Sequence, residues 1–136
     1  MKRNIQFIVV HCTASNPDAK VRDIQHYWEE NLKWKNPGYH YLIKRDGQIV
    51  QLQDESLIAN GVKGNNHNSI HLSYIGGIDK DGKPKDTRTS EQQEAMFEKL
   101  MELSEKYHKA KIVGHRDFPG VKKACPSFDV RSWLAG

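Results

Sequence analysis

The stretch GHRDFPGVKKACPSFD, residues 114–129, organises the rest of this 136-residue chain. It follows the short β-branched run Ile112-Val113, so His115 is predicted to emerge just beyond the end of a strand. Cys125 lies further along the same loop-like stretch. A histidine nitrogen and a cysteine sulfur are good zinc ligands when they converge. The function therefore depends on which other residues the fold brings close to His115 and Cys125.

The composition is typical of a soluble globular protein, with 37% hydrophobic and 28% charged residues. We expect residues 1–136 to form one domain, since a chain of this length can bury a core without staples. No apolar run approaches the roughly 20 residues that span a bilayer. The start, MKRNIQFIVVHC, has too short an apolar part for a secretory signal and is predicted to be a strand. We therefore expect cytoplasmic synthesis without a signal peptide.

The net charge of +4, from 21 basic and 17 acidic residues, suits several kinds of partner. Nucleic acid, a membrane surface or an anionic wall polymer could each attract such a protein, and a solvated surface explains the charge equally well. The two cysteines, Cys12 and Cys125, allow one disulfide in an oxidising compartment but do not make a disulfide framework.

The order of predicted elements is β, α, β-β, loop, β, α, β, α, which favours an α/β fold with a central mixed sheet flanked by helices. Strands are predicted at 5–10, 39–43, 48–52, 70–75 and 112–113, the second and third forming a hairpin. Helices are predicted at about 21–35, 90–108 and 127–134. Their expected N-caps are Asp18, Ser90 and Ser127. An exposed loop at 59–69 and a mobile one at 79–89 complete the prediction.

Two helical faces are expected to be apolar from their spacing. In the first helix the stripe consists of Val21, Ile24, Trp28 and Leu32. In the second it includes Phe97, Leu100, Met101, Ser104 and Tyr107.

Three residues are candidate metal ligands. His11 ends the first predicted strand, His115 follows the last, and the loop beyond can bring Cys125 toward both if the two strands are neighbours. Three protein ligands leave one position of a tetrahedral zinc ion open, which is the catalytic arrangement. The alternative is a pair of ordinary strand-end histidines and a buried thiol. Cys12 adjoins His11 on the strand, so alternation sends it to the opposite face as a buried thiol.

Tyr39 and Lys123 are candidates for catalysis beside such a metal. A phenol and an ammonium would suit the oxyanion that develops when a carbonyl is attacked. The alternatives are a packed aromatic residue and a solvated lysine. His67 lies in a turn-rich loop, where it could contact substrate or simply be exposed.

Six motifs, in order, resemble a known family. FIVVHCTAS, GYHYLIKRDG, NHNSI, IGGID, GHRD and KACPSFD are similar to motifs of the zinc-dependent N-acetylmuramoyl-L-alanine amidases, which have the type-2 amidase and peptidoglycan-recognition-protein fold. The resemblance extends from about Ile5 to Trp133 and is strongest to the small phage amidases called lysozymes in the T-odd coliphages. It implies one zinc ion and hydrolysis of the amide bond between N-acetylmuramic acid and the L-alanine of the peptidoglycan stem peptide.

The resemblance also implies residue roles. His11, His115 and Cys125 match the zinc ligands, while Tyr39 and Lys123 match the catalytic residues. One departure is His71, since family members commonly have glycine after NSI. A side chain at this position either sits on the sheet or narrows the groove.

These motifs predict a phage or prophage endolysin that degrades the cell wall. Its partner would be peptidoglycan, it would need neither nucleic acid nor a membrane, and we expect a monomer that reaches the wall through a holin or a dedicated secretion system. Three alternatives remain. A noncatalytic peptidoglycan-binding module of this fold would lack the zinc cysteine, whereas Cys125 is present. A basic nucleic-acid-binding protein would bind in a salt-sensitive way, and a Cys12–Cys125 disulfide would remove the zinc thiolate.

Overall fold

Five strands form one mixed sheet in the computed structural model, which describes residues 3–136. In spatial order β3-β2-β4-β1-β5, β1 pairs in parallel with β4 and β5, β2 pairs in parallel with β4, and β3 is antiparallel to β2. This is the predicted mixed sheet. The strands are β1 (Phe7–Cys12), β2 (Tyr41–Ile43), β3 (Ile49–Gln51), β4 (Ser69–Tyr74) and β5 (Lys111–Gly114).

Helices cover both faces of the sheet. The first, α1 (Val21–His26), continues directly into a π-helical turn, Tyr27–Asn31. The long helix α2 (Ser90–Lys106) precedes β5, and the short helix α3 (Val130–Ala135) ends the chain. Among the described residues, no helix is long and apolar enough to cross a membrane.

Side-chain alternation along β1 divides the core into two layers. Ile8, Val10 and Cys12 lie in a buried cluster with side chains of α2 and α3. Val9 belongs to a separate cluster on the other face. His11 therefore shares the face of Val9, and the predicted separation of His11 from Cys12 is confirmed. Both cysteines are free thiols.

The face that carries His11 is covered by α1 and by loops. Ile24 and Trp28 of the first helical segment pack against Leu42 and Ile75. A matching cluster at the β5 side contains Val9, Val62, Val113 and Phe118.

The first helix is shorter than predicted. It begins after Lys20 and its π-helical turn ends at Asn31, because Lys33 adopts a left-handed backbone conformation with φ of 57°. Asp18 is not its cap and instead forms a surface ion pair with Arg45. Leu32, expected on the apolar stripe, is consequently partly exposed.

The apolar face of α2 was predicted correctly at Leu100 but wrongly at Phe97 and Met101. Met96, Leu100 and Leu103 are buried, whereas Phe97 is 47% and Met101 37% exposed. Residues 96, 100 and 103 have the same helical spacing as 97, 101 and 104, so the sheet rather than periodicity selects the buried face.

The caps of α2 and α3 differ from those predicted. The α2 cap is Thr89, whose hydroxyl accepts the Gln92 N–H at 3.0 Å, one residue earlier than expected. For α3 the cap is Asp129 rather than Ser127, and the Ser127 hydroxyl instead donates to the Gly77 carbonyl at 2.9 Å.

The loop at 59–69 is not exposed throughout, because an arginine holds it against the sheet. The Arg3 guanidinium donates to the carbonyl oxygens of Glu55, Leu57, Asn66 and Ser69 at 2.6–2.9 Å. Ala59, Val62, Asn68 and Ser69 are buried as a result, and a short 3-10 turn forms at Asn66–Asn68. The charged segment 79–89 contains neither helix nor regular strand.

Adjacent residues of α2 test the corrected helical face. Leu100→Ala should lower the free energy of unfolding by about 2–5 kcal/mol, because it leaves a cavity in the buried layer. Met101→Ala, on the same turn, should change it by less than about 1 kcal/mol because that side chain is partly exposed. Urea unfolding of both variants measures the difference. Equal losses would contradict the burial of this face.

Candidate metal centre

The parallel pairing of β1 with β5 brings two histidines to one edge of the sheet. His11 lies within β1, and His115 opens a 3-10 turn, His115–Asp117, directly after β5. Asp117 holds this turn by accepting the Gly114 N–H at 2.7 Å. The imidazole centroids of His11 and His115 are 4.8 Å apart. The strands before the two histidines are therefore neighbours in the sheet, which was the condition for the predicted site.

The loop after the turn returns Cys125 to the same edge. Its carbonyl accepts the Arg116 N–H at 2.9 Å, and its sulfur accepts the Cys12 N–H at 3.2 Å. These bonds tie the loop to both the turn and β1. One donor atom from each of His11, His115 and Cys125 then lies within 4.8 Å of the others.

This donor set fits zinc. The Cys125 Sγ and His11 Nδ1 are 3.8 Å apart, close to the roughly 3.5 Å expected between sulfur and nitrogen ligands of a tetrahedral zinc ion. The other nitrogen of His11, Nε2, lies 2.9 Å from His71 Nδ1, which leaves Nδ1 facing the sulfur. The three residues therefore form a possible metal site with the predicted ligands.

The protonation of the donors also suits a cation. Burial is the main cause that lowers the pKa of His11 well below its ordinary value. Neighbouring groups that can be positively charged, such as His71 and His115, lower it further. Burial and the charge of Lys123 lower the pKa of His115. Both imidazoles are thus neutral at pH 7, as metal ligands must be. The Cys125 thiol has a raised pKa, owing to its hydrogen bond with Cys12 and to burial, and a bound cation would favour its thiolate.

The donors lie in a groove of about 750 Å³. Tyr39 and Lys123, predicted to be catalytic, line the same groove. Lys122 is exposed and is not among the lining residues. The aromatic residues Tyr27, Trp28 and Trp34 also line the groove.

Tyr39 is packed beside the donors. Its ring centroid is 5.0 Å from that of His11, and its hydroxyl donates to the Cys12 carbonyl at 3.1 Å. Burial raises the pKa of Tyr39, so the phenol keeps its proton at neutral pH.

The structure separates His67 from His71. His67 is exposed on the turn Asn66–Asn68 and is not among the residues that line the groove, so its contact with substrate stays a prediction. His71, for which the sequence suggested no chemistry, is fully buried against His11. Its register opposite Val9 in the β1–β4 pair places it there, and the sequence carries no local signal for a pairing 60 residues apart.

Residues 1–128 match the family described as N-acetylmuramoyl-L-alanine amidase. The chain belongs to this family. It is 39% identical over 128 residues to the endolysin of Escherichia phage T7, a match that covers 93% of this chain and 83% of that protein. The predicted phage-amidase resemblance and the predicted amidase activity are confirmed.

Solved amidase-like structures share the fold. The Ph2119 endolysin of a Thermus scotoductus bacteriophage superimposes with a TM-score of 0.85 at 24% identity, covering 99% of this chain and 85% of that one. Drosophila peptidoglycan recognition protein SD gives a TM-score of 0.78 at 21% identity, covering 98% and 81%. The predicted mixed-sheet fold of the amidases and recognition proteins is thereby confirmed.

Removing the cysteine ligand tests the metal centre. Cys125→Ser should lower zinc affinity by more than the roughly 10–100-fold typical for loss of an outer hydrogen-bond partner, because a ligand itself is lost. Lys122→Gln is the matched control, since Lys122 is exposed on the same loop and does not line the groove. Zinc content by mass spectrometry, with chelator competition for affinity, provides the measurement. Equal affinities for Cys125→Ser and wild type would exclude this ligand set.

Proposed function

We propose that this amidase is a zinc-dependent endolysin that cleaves the bond between N-acetylmuramic acid and L-alanine in peptidoglycan. The observation that carries the proposal is the convergence of His11, His115 and Cys125 in a groove that also contains Tyr39 and Lys123. Family membership indicates which bond is cleaved, and the donor set indicates which metal would be bound.

The three ligands would bind a single zinc ion with one thiolate and two neutral imidazoles. When bound, zinc supplies a Lewis acid that polarises a carbonyl group and makes water acidic enough to attack it at neutral pH. The protein's own contribution is to present one neutral imidazole on a buried strand and a second on the turn after β5, and to leave one side of the donor set open to the groove.

Tyr39 acts as a hydrogen-bond donor in this proposal. Its pKa is raised by burial, so it cannot serve as a base near neutral pH but retains a proton to donate. The hydroxyl donates to the Cys12 carbonyl without substrate. Transfer of this hydrogen bond to the oxyanion that develops on the scissile carbonyl would stabilise the transition state more than the ground state.

Lys123 supplies positive charge on the side of the groove formed by the Cys125 loop. Burial is the main cause that lowers the pKa of both histidines, and the charge of Lys123 lowers it further, which supports a position of the ammonium close to the donor set. The same charge would stabilise a developing oxyanion. The positive charge of Lys123 thus favours neutral histidine ligands, and it also favours a transition state that carries negative charge on the oxyanion.

The biological role follows from the relatives. The matched phage protein is an endolysin, and we infer that this chain likewise degrades the cell wall as a monomer, with peptidoglycan as its partner and without nucleic acid or a membrane. Access to the wall would come from a holin or a dedicated secretion system.

The test is digestion of purified peptidoglycan followed by mass spectrometry of the released fragments. Free stem peptides beginning with L-alanine are the expected product, and chelator treatment should abolish their release until zinc is restored. Binding of peptidoglycan without any release would instead support a noncatalytic recognition module.

Tyr39→Phe and Lys123→Gln separate catalysis from metal binding. Each should lower kcat by roughly 10²–10³-fold, the usual effect of losing one oxyanion donor, while zinc content stays at the wild-type level. Lys122→Gln is the matched control and should retain full activity, because Lys122 lies outside the groove lining. Wild-type kcat in both test variants would contradict their assigned roles.

A further inference from the structure

His71 makes two hydrogen bonds through its imidazole although it is wholly buried. Its Nδ1 lies 2.9 Å from Nε2 of His11, and its Nε2 lies 2.9 Å from Oδ1 of Asn66. Its relative exposure is 0%. The ring therefore bridges the proposed zinc ligand and the loop at 59–69.

The direction of both hydrogen bonds is set by a backbone amide. The Val62 N–H donates to Asn66 Oδ1 at 2.7 Å. A backbone N–H can only donate, so this atom of Asn66 is the accepting oxygen. The His71 Nε2 beside it must then carry a proton and donate.

The remaining proton positions follow from charge. If His71 also carried a proton on Nδ1, it would be a buried cation, and its two ring partners, His11 and Asn66, offer no negative charge to offset it. The neutral ring leaves Nδ1 as an acceptor. His11 must then donate through Nε2–H, and its lone pair is confined to Nδ1.

This tautomer is the one that the metal centre needs. The Nδ1 of His11 faces the Cys125 sulfur at 3.8 Å, and a nitrogen that carries a proton cannot bind a metal. Metal-binding histidines generally donate their second N–H to an outer partner, which fixes the tautomer and the ring plane. In this chain the partner is a second imidazole.

The surrounding structure fixes the His71 ring in place. A Cβ atom on Gly61 would lie 2.4 Å from His71 Nδ1, so only glycine leaves room for the ring. The His71 backbone N–H donates to His40 Nδ1 at 3.0 Å, and His40 Nε2 bonds to the Leu57 carbonyl at 2.8 Å. Both the backbone and the side chain of His71 are thus held.

We propose that His71, oriented by Asn66, is a positioning residue that holds His11 in the tautomer offering Nδ1 to zinc. The inference rests on the proposed zinc centre. It extends that centre to a chain of hydrogen bonds running from His11 through His71 to Asn66 and the Val62 amide.

Two amide substitutions at position 71 test the role, because they replace different ring nitrogens. His71→Asn places an amide oxygen near the Nδ1 position and keeps an acceptor for His11. His71→Gln reaches the Nε2 position toward Asn66 but places no acceptor beside His11. Both remove the ring, so their free energies of unfolding in urea without metal should be similar.

Zinc affinity by chelator competition should fall about 10–100-fold in His71→Gln and remain within a few-fold of wild type in His71→Asn. In addition, ¹⁵N–¹H couplings of the metal-free wild-type imidazoles should show His71 protonated on Nε2. His71→Gln with wild-type affinity, His71→Asn as weak as His71→Gln, or a His71 proton on Nδ1 would each overturn the positioning role alone. Wild-type protein that binds no zinc would overturn the proposed metal centre, and the positioning role with it.

Discussion

The parallel pairing of β1 with β5 is the constraint on which this structure's function depends. It joins the two ends of the chain, so that His11 and the turn starting at His115 lie at one edge of the sheet. Two hydrogen bonds from backbone N–H groups hold the Cys125 loop at the same edge. The Cys12 N–H donates to the Cys125 sulfur, and the Arg116 N–H donates to the Cys125 carbonyl. Without this pairing, His11 would not lie beside His115 and Cys125, which are far from it in the sequence.

The site is built from neutral groups around a position that suits a cation. Burial keeps the imidazoles of His11 and His115 neutral and keeps the Tyr39 phenol protonated. Neutral donors cost less to bury than charged ones, so His11 can lie on a buried strand at a smaller cost in stability. Lys123, at the exposed side, places its charge where solvent still reaches it.

Support for the site extends through the 59–69 loop to the start of the described chain. Arg3 donates to two carbonyl oxygens of that loop, at Asn66 and Ser69, and to two just before it. The loop supplies Gly61 beside the His71 ring and Asn66 at its far nitrogen. The contacts of Arg3 and the orientation of the His71 imidazole are thus linked through this loop. A rigid outer layer of this kind is what precise metal geometry needs.

The sequence by itself determined the element types and the α/β class, because alternation and turn residues are local signals. Its ordered motifs, through their resemblance to the amidases, also pointed to His11, His115 and Cys125 as candidate ligands. It did not determine which side of α2 is buried, since residues 96, 100 and 103 and residues 97, 101 and 104 fit the same helical period and only the sheet selects between them. Nor did it give His71 a role. That role depends on the β1–β4 register, which sets His71 opposite Val9, and on a loop held by Arg3. Contacts between residues far apart in the chain decided both points, and no local pattern encodes them.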